Sequence, residues 1–265
     1  MRLKITHKTS YRFDEPVLYG LEQLRKTPKN NHQQTVLNWA TTVEGGKKEV
    51  TFTDHHNNLV ELISFDRETR EVVVRSEGEV EITDNAGVVG RHVGLAPLWL
   101  FERPTTLTKP GTGTRAIIRQ VEGDTDIERL HALSGTVAET VTYTVGASDS
   151  GWTAEEAIAA GHGVCQDHAH IFIACAREMG FPARYVSGYL MMDDRTEQDA
   201  THAWAEVHVN GLGWVGFDVS NAQSPDDRYV RVATGLDYSG AAPVIGSRFG
   251  GADEKLDVQI EVAQQ

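Results

Sequence analysis

Cysteine is nearly absent from this chain. Two thiols in 265 residues, Cys165 and Cys175, exclude a disulfide scaffold and fit a reducing compartment. On one helix, a rise of about 1.5 Å per residue sets their Cα atoms roughly 15 Å apart, too far for a bridge, so both are expected to be free. Long apolar runs are missing too. Nothing approaches the ~18 residues of a membrane span, and the opening Met1 to Lys8 alternates charged with apolar side chains without a secretory core. A soluble, cytoplasmic protein with no membrane partner is the expectation. Basic residues are in deficit, 25 against 38 acidic, for a formal net charge of -13; this argues against nucleic acid as a partner. The sequence has no internal repeat, no acidic loop of EF-hand spacing and no second cysteine close enough to Cys165 for a zinc pattern, so neither a cofactor nor a metal is expected.

What is present begins with β patterning. Arg2-Leu3-Lys4-Ile5, Glu49 to Phe52 and Val60 to Leu62 alternate, Val72 to Val74 is β-branched, and Asp54 to Asn58 reads as a hairpin turn. A Pro, Thr and Gly-rich connector, Pro104 to Gly113, then separates this β module from helical sequence. From Asp126, the residues Ile127, Leu130, Leu133 and Val137 share one helical face, and Thr153 to Glu156 has capping-box spacing. A further helix opens at Cys165 and stops at Gly180-Phe181-Pro182. Strands follow from Arg184, His202 and Trp214, and Leu256 to Val262 alternates as a closing strand. If the turn after Val209 leaves three residues unpaired, Val209 faces Gly213; counting back sets Trp204 opposite Asp218, with His202 one same-face step away. The expected domains are 1–100 (β), 101–125 (connector) and 126–265 (core).

Cys165 carries the chemistry. It stands where the glycine-marked loop Gly161-His162-Gly163 meets a helix, and the unpaired N–H groups of a helix N-terminus favour a thiolate. His202 and Asp218 supply the other parts that thiol chemistry needs: a proton carrier and a carboxylate to orient it. The backbone N–H of Cys165 is the natural first oxyanion donor, with the Tyr143 hydroxyl or the Trp152 indole as candidates for the second. His168 is expected to line the cleft and His170 to lie at the surface. Asp167 is expected to support the helix start, Arg184 to make a structural ion pair, and Trp204 and Trp214 to form wall or core.

Four ordered segments, Gly163 to Asp167, Gly180 to Tyr189, Thr201 to Val207 and Asp218 to Asn221, resemble the bacterial transglutaminase-like superfamily, in the subgroup with an N-terminal β domain marked by His7 to Tyr11 and Asp54 to Asn58. Departures include serine in Asp218-Val219-Ser220-Asn221 where the family has threonine, His168 where it has an aromatic, and Leu236 where it has arginine. The resemblance implies an α+β fold: an antiparallel β-sandwich-like domain followed by a papain-like core of helices packed on an antiparallel sheet. It implies Cys165, His202 and Asp218 as nucleophile, base and orienting acid, acting on a peptide or protein substrate through a thioester. Water as acceptor gives a peptidase or amidase, the favoured outcome; a lysine amine gives a transglutaminase. The rival readings are a catalytically silent binding or scaffold protein on the same fold and a metal-dependent hydrolase.

Overall fold

Alternating burial along the first strand sets the architecture of the computed structural model, which describes residues 1–251 and 253–265. In β1 (Arg2–Leu24), Leu3 and Ile5 are fully buried while Arg2 and Lys4 face out. The chain continues through β2 (Gln34–Glu44), β3 (Gly46–Thr53), β4 (Leu59–Phe65), β5 (Thr69–Ile82) and the short β6 (Val88–Gly90). The β3–β4 turn is tied by Asp54, whose Oδ1 accepts from the His56 and Asn58 amides at 2.9 Å each, and Asn57 takes the left-handed backbone at φ 60°.

The helical stretch comprises α1 (Thr112–Ile118), α2 (Asp126–Thr140), the two-residue strand β7 (Thr142–Tyr143), α3 (Ala154–Ala160), β8 (His162–Gly163) and α4 (Cys165–Glu178). Helix α1 begins at the end of the Pro, Thr and Gly-rich stretch. Its free amides at Gly111, Gly113 and Thr114 are accepted by the Glu155 carboxylate at 2.8–3.0 Å, a cap supplied from a helix more than forty residues away. After α4 come β9 (Ala183–Leu190), β10 (Glu197–Gln198), β11 (His202–Val209), β12 (Gly213–Phe217), β13 (Tyr229–Gly235), α5 (Tyr238–Ala241), β14 (Val244–Gly250) and β15 (Glu254–Gln264).

Two main sheets result, giving an α+β molecule with an N-terminal β-rich domain and a helix-on-sheet core. One is built around β1, which pairs with β4, β5, β14 and β15, with β2, β3 and β10 outside them; the other runs β13-β9-β11-β12-β6. The closing strand β15 returns to lie along β1, from Leu3 opposite Gln264 to Phe13 opposite Glu254. Between the sheets and helices runs one apolar cluster, joining Leu3, Ile5 and Val80 to Ile171, Phe172 and Ala205. Helix α4 is its axis: every residue from Asp167 to Arg177 is buried, as expected of a helix enclosed on all sides. No helix among the described residues is long and apolar enough to cross a membrane.

Candidate active site

The start of α4 is fixed by a carboxylate folding back on it. Val164 is extended and offers no side-chain cap; instead Asp167 Oδ2 accepts from the Val164 amide at 2.8 Å and from the Ser148 hydroxyl at 2.6 Å. Asp167 thus supports the helix start, as expected. This return needs Gly163, because a Cβ there would lie 2.7 Å from the Asp167 Cβ. Cys165 is consequently the first helical residue, half-buried, whereas Cys175 in the same helix is buried; both thiols are free. Burial pushes the Cys175 thiol far above its ordinary range, which keeps it protonated and unreactive.

His202 opens β11 and Asp218 follows β12. The hairpin between these strands pairs Val209 with Gly213 and Ala205 with Phe217, the register counted from the sequence. It brings the side chains together: His202 Nε2–H donates to Asp218 Oδ2 at 2.6 Å. That oxygen also accepts from Asn221 Nδ2 and from the Tyr229 hydroxyl, each at 2.7 Å, while Oδ1 accepts from the Ser220 amide at 3.1 Å. Burial works to raise the Asp218 carboxyl, but the hydrogen bond and charge of His202, with Asn221 and Tyr229, hold it below the ordinary carboxylate range. For His202, burial disfavours the charged ring; hydrogen bonds to Asp218 and Cys165, and the charges of both, overcome it and raise the imidazole to about 10. The imidazole and carboxylate are joined by this hydrogen bond, and the thiol lies near enough for its charge to act on the ring. An imidazole so placed can take up a proton and return it elsewhere.

Other sequence candidates fall into place unequally. Tyr143, on β7 and 47 % exposed, lies close enough that Cys165 and Asp218 add to the effect of burial in raising its phenol. Trp152 packs partly buried on the core with its ring 5.8 Å from that of His162. His168 is buried between two partners, Nε2–H donating to the Val141 carbonyl at 2.8 Å and Nδ1 accepting from Ser220 at 2.9 Å, so both ring nitrogens are engaged. The two departures at His168 and Ser220 therefore touch each other. His170 corrects an expectation: it is fully buried, accepting from the Tyr238 amide at 3.1 Å, because helices and sheet cover α4 on every face. Burial lowers its pKa to about 4, which leaves it neutral. Trp204 and Trp214 are buried, and Arg184 pairs with Glu206 at 2.6 Å. Sequence reasoning missed Tyr229, whose hydroxyl braces Asp218 from β13; nothing in its local sequence points there.

Two family models match the chain. The transglutaminase-like superfamily model covers residues 115–219, and the bacterial transglutaminase-like N-terminal region covers residues 3–81. The chain belongs to the transglutaminase-like superfamily. Similar curated proteins include an uncharacterized protein of Mycobacterium leprae, 27 % identical over 281 residues and covering 99 % of each chain, and one of Mycobacterium tuberculosis, 28 % identical over 292 residues, covering 98 % of this chain and 92 % of the other. Among solved structures, a candidate cysteine protease from Cytophaga hutchinsonii superimposes with a TM-score of 0.80 at 21 % identity, over 99 % of this chain and 90 % of that one. That likeness shows a shared fold.

Proposed function

We propose that this chain is a cysteine hydrolase acting on peptide or carboxamide bonds, with Cys165 as nucleophile, His202 as proton carrier and Asp218 as the group that orients and charges the imidazole. The observation that carries this reading is the His202 ring given through Nε2–H to Asp218 at 2.6 Å, which leaves Nδ1 for the thiol. Sulfur attacks the carbonyl carbon, and the carbonyl electron pair moves onto oxygen. The imidazolium then gives its proton to the leaving nitrogen, the C–N bond breaks, and a thioester remains. Water, losing a proton to His202, resolves it to the acid and restores the thiol. For the oxyanion, the Cys165 amide opens the helix and has no acceptor within it. Tyr143 is favoured as second donor over Trp152, because its titration feels Cys165 and its raised phenol stays protonated.

The test is mass spectrometry of glutamine-containing peptides incubated with the wild type and with Cys165→Ala, with and without an added amine. Cleavage or deamidation that disappears in a normally folded Cys165→Ala variant is expected. Turnover retained in that variant overturns the assignment, and amine adducts formed in place of hydrolysis would move the reaction to transfer. Limiting iodoacetamide provides a substrate-independent check: Cys165 should label in preference to Cys175, and more slowly in His202→Ala.

A further inference from the structure

A cluster of basic side chains lines a cavity that Cys165, His202 and Asp218 do not share. On the face of the core sheet opposite α4, Glu206 is fully buried and accepts from Arg184 Nε at 2.6 Å and from Arg231 Nε at 2.7 Å. One carboxylate therefore answers two guanidinium groups. Arg184 also lies 3.8 Å over the ring of the buried Trp214. Above this group, the segment joining β1 to β2, the β3–β4 turn and β6 close a cavity of about 910 Å³. Its wall carries Lys29, Arg91, Arg184 and Arg231, with His32 and His56.

No aspartate or glutamate lines that cavity, although the chain has 38 acidic residues against 25 basic. Lys29 is held there without an anion: Nζ donates to the His56 carbonyl at 2.8 Å and to Thr234 Oγ1 at 2.9 Å. Burial, reinforced by Arg231 and Arg184, pushes its pKa well down. Among the described residues His56 Nδ1 has no hydrogen-bond partner. Two carboxylates border this group and both are already committed: Glu206 to the two arginines, and Asp54 to the His56 and Asn58 amides, the Asn58 side chain and Arg25. The rest of the wall includes Pro28, Val36, Leu59, Val89 and Val93. A concave, partly apolar site between two structural units, with positive charge left unmatched, concentrates anions that also carry apolar surface.

We propose that this cavity is a binding site for an amphipathic organic anion, its carboxylate or phosphate head held by Lys29, Arg91 and the Arg184–Arg231 pair and its apolar body against Val36, Leu59 and Val93. The site is separate from Cys165 and does not depend on turnover. Octanoate and octyl phosphate, titrated calorimetrically into the full chain at fixed ionic strength, present the two heads on one tail, and octylammonium presents the opposite charge. Saturable one-to-one binding of at least one anion is expected, the tighter head naming the ligand class, with no saturation by octylammonium. Lys29→Met and Arg91→Ala should each weaken the bound anion about tenfold or more, the loss of one charge-assisted hydrogen bond. Arg91 is exposed, so its truncation leaves folding intact and keeps the test decisive if Lys29→Met does not fold. Absence of saturation by both anions, equal binding of octylammonium, or wild-type affinity in Arg91→Ala overturns the proposal.

Discussion

Replacing Asp218 with asparagine removes the charge beside His202 while keeping the shape of the site. In the wild type the imidazole is raised from 6.5 to about 10. At about 1.36 kcal/mol per unit this is roughly 5 kcal/mol in favour of the imidazolium. Burial is the largest single influence and opposes that preference, so Asp218 and Cys165 together supply more than the net shift. His202 is only 11 % exposed, which leaves little solvent screening. Assigning the carboxylate charge about 2 to 3 kcal/mol of the net preference, the His202 midpoint in Asp218→Asn should fall by about two units. Nitrogen NMR of the histidine rings measures this without a substrate, with the His202 signals identified by their loss in His202→Gln. A wild-type midpoint near 6.5, or a variant that titrates with the wild type, would refute the reasoning. Stability follows the same linkage. The contribution of His202 is fully present below pH 6.5 and is lost as pH rises through about 10. Asp218, held below its ordinary 3.8, contributes above that value and loses its contribution as pH falls. The gap in Tm between wild type and variant should therefore be widest between these limits and close at alkaline pH.

Two further substitutions test how the frame is held. Glu206→Gln leaves Arg184 and Arg231 without their shared buried carboxylate, and urea unfolding should show a loss of about 3 to 5 kcal/mol; a loss under about 1 kcal/mol would contradict the buried geometry. Since burial is outweighed by the two arginines in holding Glu206 low, to about 2, that loss should shrink as pH falls below the ordinary 4.5. Glu155→Ala strips the cap from α1 and should cost about 1 to 2 kcal/mol. Hydrogen exchange should then speed up at residues 113–115, and unchanged protection there would show that α1 stands without the cap.

Local pattern was sufficient where neighbours in sequence settle the structure. The alternation of Leu3 and Ile5, the left-handed tolerance of Asn57 and the box between Thr153 and Glu156, whose carboxylate accepts the Thr153 amide at 2.8 Å, all operate within a few residues. The meeting of His202 and Asp218 was legible for the same reason, because a short hairpin propagates its register along both strands. What escaped depends on distant chain. Helix α1 takes its N-terminal cap from Glu155 on a distant helix, His170 is buried because α4 is enclosed on every side, and Asp218 is braced by Tyr229 from another strand. The cationic cavity is the clearest case, since a net charge of -13 suggests avoidance of anions until folding gathers Lys29, Arg91, Arg184 and Arg231 on one wall.

The N-terminal strand is tied into the core by a buried polar chain as well as by apolar contact. Lys26 Nζ donates to Thr9 Oγ1 at 2.5 Å, the Thr9 hydroxyl lies 3.3 Å from His7 Nε2, and His7 Nδ1 lies 3.0 Å from the Tyr189 hydroxyl on β9. With the ammonium occupying the threonine oxygen, the threonine proton is directed to Nε2, so Nδ1 must carry the hydrogen that Tyr189 accepts. Only a neutral imidazole meets both neighbours, and burial, aided by the Lys26 charge, lowers the His7 pKa to keep it so. Tyr189 follows Gly188, the residue paired with His202 across β9 and β11. The chain is directional and leaves no slack for sliding one sheet over the other, because a shift of either sheet strands a buried donor or acceptor at a cost of about 1 to 3 kcal/mol. The N-terminal sheet thereby fixes the strand against which His202 is registered, which gives the β domain a physical role in the geometry of the site.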